Sequence, residues 1–423
     1  MKPTTVQAGI VGLGLVASAH LKGYQSHPHA AVTAVCDLDP ERAAQFAAAH
    51  GIPEVYTSYE EMLAQAAINT VDIATPTDLH APMALQAARA GKHIHCEKPF
   101  CRTVGEGLAV CAAAREAGVR LLVGETYAFI ASHVQARALI EAGEIGRPLQ
   151  VRQRHGAWIA RAKPRIAAGP RDRTWRVDPR RSGGGAYPWI YDHAVHFYAT
   201  AEYLMPGEQI AEVYAVSSAT SGAPKRRGAA HDPYASAEVD IPIITWRYAD
   251  PACQGVWMRA ERLNNKYDHM RGFSTTVIGE RGMIEVLGEG GHNLVWEGEQ
   301  VHLVLHREGK ESQAFRFDAG VDAAGDDLWQ SEICYYSGGH VAQVQHLVDC
   351  ILTGTEPRYT GEDGVHAVRC TLATIESAHA GRPVKVEEIG SEYGAYDPEK
   401  NSQKCKEPRL SACRKDGSRR LSS

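Results

Sequence analysis

The chain has no run of about 18 or more consecutive apolar residues, so no segment reads as a membrane-spanning helix. Its first apolar stretch, Val6 to Val16, is broken by glycines and lacks the basic start and small-residue cleavage site of a secretion signal. A dominant charge is also missing. The 45 Lys and Arg residues are dispersed among 50 Asp and Glu residues, for a net charge of −5. That balance excludes a basic groove for nucleic acid and a polybasic membrane face, and favours a small soluble partner. The ten cysteines, among them Cys36, Cys96, Cys101, Cys253 and Cys370, follow the spacing of neither a disulfide framework nor a zinc site. A reducing, cytoplasmic address is therefore expected, and no metal ligands are assigned. Disorder-prone composition and repeats are absent too: 44% of the residues are hydrophobic, and 423 residues exceed what one core organises, so two domains are expected.

What is present is an alternation of short β-rich runs and alanine-rich helical runs over the first 120 or so residues, the rhythm of βαβ units around a parallel sheet. Strands are expected at Gln7 to Val11, Val32 to Cys36, Val71 to Ala74, His93 to Cys96 and Arg120 to Val123. Helices with apolar residues three and four apart are expected at Arg42 to His50, His80 to Ala90 and Val104 to Ala117. The rhythm breaks after Gly124. A helix near His133 to Ala142 and a strand at Leu149 to Arg154 lead into successive strands between Ala211 and Phe317, including a hairpin across Gly279-Glu280-Arg281-Gly282. Helical periodicity returns from Gly339 to Ala380, and these helices are expected on one face of the antiparallel sheet. The fold class is thus α/β, with a doubly wound Rossmann domain at 1–124 and an α+β domain at 125–390 built on a large, mostly antiparallel open sheet. Residues 391–423 read as a disordered tail.

Gly12-Leu13-Gly14-Leu15-Val16-Ala17 follows a strand and opens a helix, the setting a dinucleotide fingerprint requires. Gly12 permits the tight turn, Gly14 lets a pyrophosphate approach the backbone, and Ala17 allows close helix packing. Leu15 and Val16 begin the helix whose free N–H groups meet the phosphates. Asp37, 20 residues after Ala17, ends the second strand, where a carboxylate accepts bonds from ribose hydroxyls and repels a 2′-phosphate. NAD is favoured over NADP, with Arg42 close enough to moderate the preference.

Two further clusters carry possible chemistry. Glu97-Lys98-Pro99 ends a Rossmann strand, where open α/β sheets bind ligands. Gly183-Gly184-Gly185 precedes Asp192 and His196, which are four apart and share one face of a helix. Oxidising an alcohol by hydride transfer requires a base for the hydroxyl proton and a donor for the developing oxyanion; His196 suits the first and Lys98 the second. His193 is a competitor for the base, or else a substrate contact or core residue. Tyr127, Phe129, Trp175 and Arg176, with Tyr187 and Trp189, fall in segments expected to line the cleft, and aromatic faces there suit the apolar faces of a sugar ring.

These motifs, together with Thr75-Pro76-Thr77 and His80, Ile278-Gly279-Glu280-Arg281-Gly282-Met283-Ile284 and Gly381-Arg382-Pro383-Val384, resemble those of the Gfo/Idh/MocA family, the glucose-fructose oxidoreductase and inositol dehydrogenase group. The resemblance spans roughly residues 6 to 388. It implies that Lys98 contacts the reacting hydroxyl and nicotinamide ribose, that His196 is the acid/base, and that Asp192 orients substrate or base. It also implies a cis Lys98-Pro99 bond, a cofactor lining of Thr75, Pro76, His80 and Glu97, and homodimers or homotetramers formed through the free face of the C-terminal sheet. The chain departs from the family pattern after Gly124, where Glu125-Thr126-Tyr127-Ala128-Phe129 replaces the more usual asparagine and arginine. The stretch from Gly185 to Asp192 is also longer than is common. The implied activity is a dehydrogenase or reductase of a ring hydroxyl or ketone in a sugar, cyclitol or glycoside. A redox-neutral, NAD-dependent glycoside-cleaving enzyme, a dehydrogenase of a non-carbohydrate cyclic diol and a non-catalytic dinucleotide sensor remain as alternatives, the last disfavoured by the presence of Lys98, Asp192 and His196 together.

Overall fold

Six short strands, β1 (Val6–Val11), β2 (Ala30–Cys36), β3 (Glu54–Tyr56), β4 (Thr70–Ile73), β5 (His93–Glu97) and β6 (Leu121–Gly124), are all parallel and lie in the order β3-β2-β1-β4-β5-β6. Helices α1 (Ala17–Gln25), α2 (Pro40–His50), α3 (Tyr59–Gln65), α4 (Thr77–Arg89) and α5 (Val104–Ala117) make the crossovers. Val6, Ala8, Ile10, Val71, Ile73, Ile94 and Cys96 are all buried, and so are the paired Asp72 and His95 between them, so both faces of the central strands are covered even where β4 and β5 alternate apolar and polar residues. Helix starts follow local chemistry. Asp39 accepts bonds from the Glu41 and Arg42 amides ahead of α2, and Thr103 accepts from the Glu106 amide ahead of α5. The computed structural model describes residues 4–155, 174–176, 178–219, 239–259, 273–287, 294–296, 299–317 and 334–394. Most of the stretch read as a tail, 395–423, lies outside them.

The strand order reverses direction between β1 and β4, so the crossovers leave a crevice at the carboxyl ends of these strands. Gly12 closes the crevice tightly. Its φ is +87°, and a Cβ there would stand 2.7 Å from the Ala74 carbonyl oxygen at the end of β4. A side chain at Gly12 would therefore clash with backbone as well as strain its own.

The helix α6 (Ala131–Glu141) leads into the second sheet through β7 (Pro148–His155). The remaining elements are α7 (Pro179–Ser182), α8 (Pro188–Tyr203), β8 (Ile210–Ala219), β9 (Val239–Tyr248), β10 (Gln254–Arg259), β11 (Phe273–Gly279) and β12 (Gly282–Leu287). After them come β13 (Leu294–Trp296), β14 (Glu299–Val301), β15 (Leu303–Arg307), β16 (Gln313–Phe315), α9 (Cys334–Thr353), α10 (Gly361–Ala380) and β17 (Val384–Lys385). Nine strands form the order β16-β15-β12-β11-β7-β10-β9-β8-β17, antiparallel throughout except for the β7–β10 pair; β13 and β14 pair separately. The anticipated hairpin is β11–β12, in register at Ile278 opposite Met283.

One face of this sheet is the core of the second domain. Ala215, Ile244, Trp246 and Trp257 are buried under α8 and α10. Gln153 Nε2 donates to the Phe197 carbonyl at 2.8 Å, and the Ala215 amide donates to Ser377 Oγ at 3.0 Å, fixing both helices on the strands. The two C-terminal helices do not both cover the sheet as periodicity suggested. Only α10 does; α9 lies on α1 of the Rossmann domain, so close that a Cβ on Gly23 would stand 2.6 Å from Val344 Cβ. Amphipathic spacing shows that a helix has an apolar face but not which surface that face meets.

Candidate active site

The fingerprint turn is built to receive a phosphate. The helix α1 starts at Val16 with no side-chain cap and no acidic residue in its first turn, so its leading amides are not consumed by the protein's own side chains. A Cβ on Gly14 would meet nothing within 4 Å, which leaves the backbone open to close approach. Thr75 lies against this turn, its Cγ2 2.9 Å from where a Gly12 Cβ would be, and Pro76 caps α4 beside it. Asp37 accepts from the Leu13 amide and the Asp39 amide, both at 2.9 Å, and from Arg42 Nη1 at 3.0 and 3.2 Å. The carboxylate thus shapes the turn and holds an arginine within reach. Asp37→Ala is expected to weaken NAD binding by about 10- to 100-fold, the cost of losing charged hydrogen bonds. It should also narrow discrimination against NADP, because Arg42 is released towards a 2′-phosphate. Titration with both dinucleotides checks this, and an unchanged NAD to NADP ratio would show that the ribose is held elsewhere.

The candidate reactive groups meet at the ends of two neighbouring strands, β5 and β6, against α8. Lys98, just past β5 and joined to Pro99 by a cis peptide bond, donates from Nζ to the Asp192 carbonyl at 3.0 Å and to Asp192 Oδ1 at 3.3 Å. Arg176 pairs with the other carboxylate oxygen of Asp192. Asp192 therefore joins the end of β5, the α8 helix and the Thr174–Arg176 turn. His196 lies one turn further along α8, and its Nδ1 stands 2.7 Å from Glu125 Oε1. Both groups are buried, and the edge of the Tyr127 ring meets the imidazole at a centroid distance of 4.6 Å.

Glu125 is the residue that sequence reasoning missed. It follows β6, the strand beside β5, so its position at a strand end was available as a signal. Its carboxylate also accepts from the Tyr127 amide at 3.2 Å, which fixes its direction. A carboxylate on Nδ1 selects the tautomer with the proton on that nitrogen and leaves Nε2 as the acceptor, the form a general base requires.

Several expected contacts fall elsewhere. The Glu97 carboxylate, expected to line the cofactor, turns inward, Oε2 taking the Lys98 amide at 3.2 Å and Oε1 standing 3.2 Å from His20 Nε2. Burial alone would raise its pKa, but the His20 imidazole outweighs burial and holds it at about 2. His80 is buried with both ring nitrogens 2.8 Å from carbonyls, those of Pro99 and Thr75, so it braces the loops around the crevice and has no nitrogen left for a ligand. Phe129 enters the core under the Arg358 guanidinium and beside His346, because two residues along a 3-10 turn direct it away from Tyr127. Tyr187 and Tyr191 are also buried, the latter donating to the Cys101 carbonyl at 2.6 Å. His193 stacks on Trp189 at 4.1 Å and its Nδ1 faces the Trp189 carbonyl, whereas His196 holds the carboxylate. The Arg176 guanidinium lies over the Trp175 ring, 4.8 Å from its centre, and pairs with Asp192.

An open crevice for a dinucleotide, with a lysine at one adjoining strand end and, at the next, a carboxylate that holds a histidine of α8, defines a nicotinamide-dependent oxidoreductase. Comparison with known proteins agrees and goes further: the chain belongs to the Gfo/Idh/MocA family. Residues 6–125 match its oxidoreductase-family NAD-binding Rossmann fold, and residues 137–386 match its C-terminal alpha/beta domain. The 1,5-anhydro-D-fructose reductase of Ensifer adhaerens is 27% identical over 386 residues, covering 90% of this chain and 98% of its own. The myo-inositol 2-dehydrogenase of Thermotoga maritima is 23% identical over 389 residues, covering 91% and 99%. Among solved structures, the aldose-aldose oxidoreductase of Caulobacter crescentus superposes with a TM-score of 0.67 at 25% identity, covering 90% of this chain and 99% of that one. No helix among the described residues is long and apolar enough to cross a membrane, and Cys36, Cys96, Cys101, Cys111, Cys253, Cys350 and Cys370 are free.

Proposed function

We propose that the protein moves a hydride between NAD and a ring hydroxyl or ketone of a sugar, cyclitol or glycoside, with His196 as acid/base, Glu125 as the residue that positions it, and Lys98 polarising the reacting oxygen. The observation that carries this reading is the pair of contacts at the ends of β5 and β6: Lys98 on Asp192 and His196 on Glu125. The relatives named above act, by their names, on cyclic or polyhydroxylated carbohydrates, which supports the substrate class.

NAD, held by the Gly12–Ala17 turn with Asp37 at its ribose, supplies the hydride acceptor when bound. His196 Nε2 takes the hydroxyl proton as the carbon is oxidised, and the imidazolium that forms is stabilised by Glu125. Lys98 donates to the oxygen as negative charge develops there, which lowers the barrier because the ammonium is already placed and largely dry. Asp192, held by Arg176 through its other oxygen, fixes the Lys98 ammonium and offers a polar partner to neighbouring hydroxyls. In the reverse direction the same groups return the proton to a ketone.

The test is absorbance in the NADH band while the protein and NAD meet a panel of sugars, cyclitols, glycosides and cyclic diols. A rise with polyhydroxylated rings supports the reading. Consumption of a glycoside with no net NADH would replace it with the redox-neutral chemistry.

The open face of the second sheet is the proposed subunit contact. Val216, Ile243 and Met258 are each about half-exposed and are lateral neighbours, since Ile243 pairs with Val216 on β8 and with Met258 on β10. Three adjoining apolar side chains on a flat sheet suit a self-complementary dimer. Ile243→Arg is expected to shift the sedimentation coefficient from oligomer to monomer; an unchanged value would place the contact elsewhere.

A further inference from the structure

Beneath the crevice lies a buried group of histidines and carboxylates that the reaction does not use. Asp72 on β4 accepts from His20 Nδ1 at 2.9 Å through one oxygen and from His95 Nδ1 at 2.8 Å through the other. His340 on α9 meets the Thr126 hydroxyl at 3.1 Å through its own Nδ1. Each imidazole is thus held at Nδ1 by a polar neighbour, the arrangement that orients histidines towards a metal through Nε2. His20 Nε2, His95 Nε2 and Glu97 Oε1 are buried; His20 Nε2 faces Glu97 Oε1 at 3.2 Å, and His95 Nε2 has no hydrogen-bond partner among the described residues. Donor atoms of His20, Glu97 and His340 all lie within 4.8 Å of one another. The 3.2 Å between His20 Nε2 and Glu97 Oε1 suits two ligands of one tetrahedral ion, each about 2.0–2.1 Å from it. Gly124 keeps the space clear, since a Cβ there would stand 2.9 Å from Glu97 Oε1 and 3.3 Å from His95 Nε2.

We propose that His20, Glu97 and His340 bind a structural divalent transition-metal ion of the zinc class, with His95 Nε2 the nearest further donor. Three imidazoles and one carboxylate are a borderline-soft set that selects zinc-like ions over magnesium or calcium. The ion takes the place of the proton between His20 and Glu97, and that proton leaves to solvent. It would tie α1, which presents its amides to the phosphates, to the end of β5 that carries Lys98 and to α9, more than 200 residues further along the chain. The ligands come from positions 20, 97 and 340, so no sequence spacing announces them.

Cobalt(II) is the probe. Full-length protein stripped with a chelator and titrated with Co²⁺ is expected to develop the visible ligand-field bands of a four-coordinate site, saturating at one ion per chain and bleached by Zn²⁺. His340→Gln should abolish the bands. Thr126→Val, which leaves every ligand in place, should weaken binding by about 10- to 100-fold and serves if His340→Gln does not fold. Absence of the bands in the unmodified protein overturns the proposal, as does unaltered cobalt binding in folded His340→Gln or in Thr126→Val.

Discussion

His196→Ala is expected to lower kcat by about 10²- to 10⁴-fold, the usual contribution of a positioned acid/base, while NAD affinity stays nearly unchanged. The separation follows from the architecture. His196 sits on α8 in the second domain, whereas the turn, α1 and Asp37 proposed to hold the dinucleotide all belong to the Rossmann domain. Lys98→Ala is expected to cost about 10²- to 10³-fold in kcat through loss of a preplaced donor. It also removes an ammonium paired with the buried Asp192, so the thermal midpoint of this variant should be measured alongside. Stopped-flow absorbance for turnover and fluorescence titration for NAD check both variants. Full activity in either removes that residue from the mechanism.

Glu125→Gln carries the second large effect. The substitution keeps the volume and one oxygen but lets an amide donate to His196 Nδ1, which moves the imidazole proton to Nε2 and disables the base. A comparable loss of a carboxylate behind a catalytic histidine costs about 10⁴-fold in serine proteases, so a fall of about 10³- to 10⁴-fold in kcat is expected here. KM for the ring substrate should change little. A tautomer role and a purely structural one separate by nitrogen NMR: the imidazole of His196 should carry its proton on Nδ1 in the unmodified protein and on Nε2 in the variant. An intact kcat in folded Glu125→Gln would remove Glu125 from the positioning role.

The Rossmann half was legible because its signals are local. A glycine turn, an acidic strand end and helical spacing each occupy a few consecutive residues, and the predicted strands lie within two residues of the observed ones. Only β3 and α3 went unread, being an edge strand of three residues and a helix of seven. Lys98, Asp192 and His196 were legible as candidates for a similar reason, since Lys98 ends a strand and Asp192 and His196 share a helix face. What escaped was chemistry joined across long separations. The Glu125–His196 pair links residues 71 apart, and the His20–Glu97–His340 group gathers three elements from both ends of the described chain. Directions within a short turn escaped too. Tyr127 and Phe129 are alike in type and two residues apart, yet one meets His196 and the other the core. Glu97 and Lys98 are adjacent but point to opposite sides of the strand end, as alternation along an extended chain requires.

The account rests on hydride leaving a ring carbon for the nicotinamide, and isotope transfer tests that most directly. With a ring substrate deuterated at the carbinol carbon, mass spectrometry of the released dinucleotide should find one deuterium per turnover in NADH and a ring ketone as product. Deuterium retained in a released sugar, with NAD left oxidised, would contradict it.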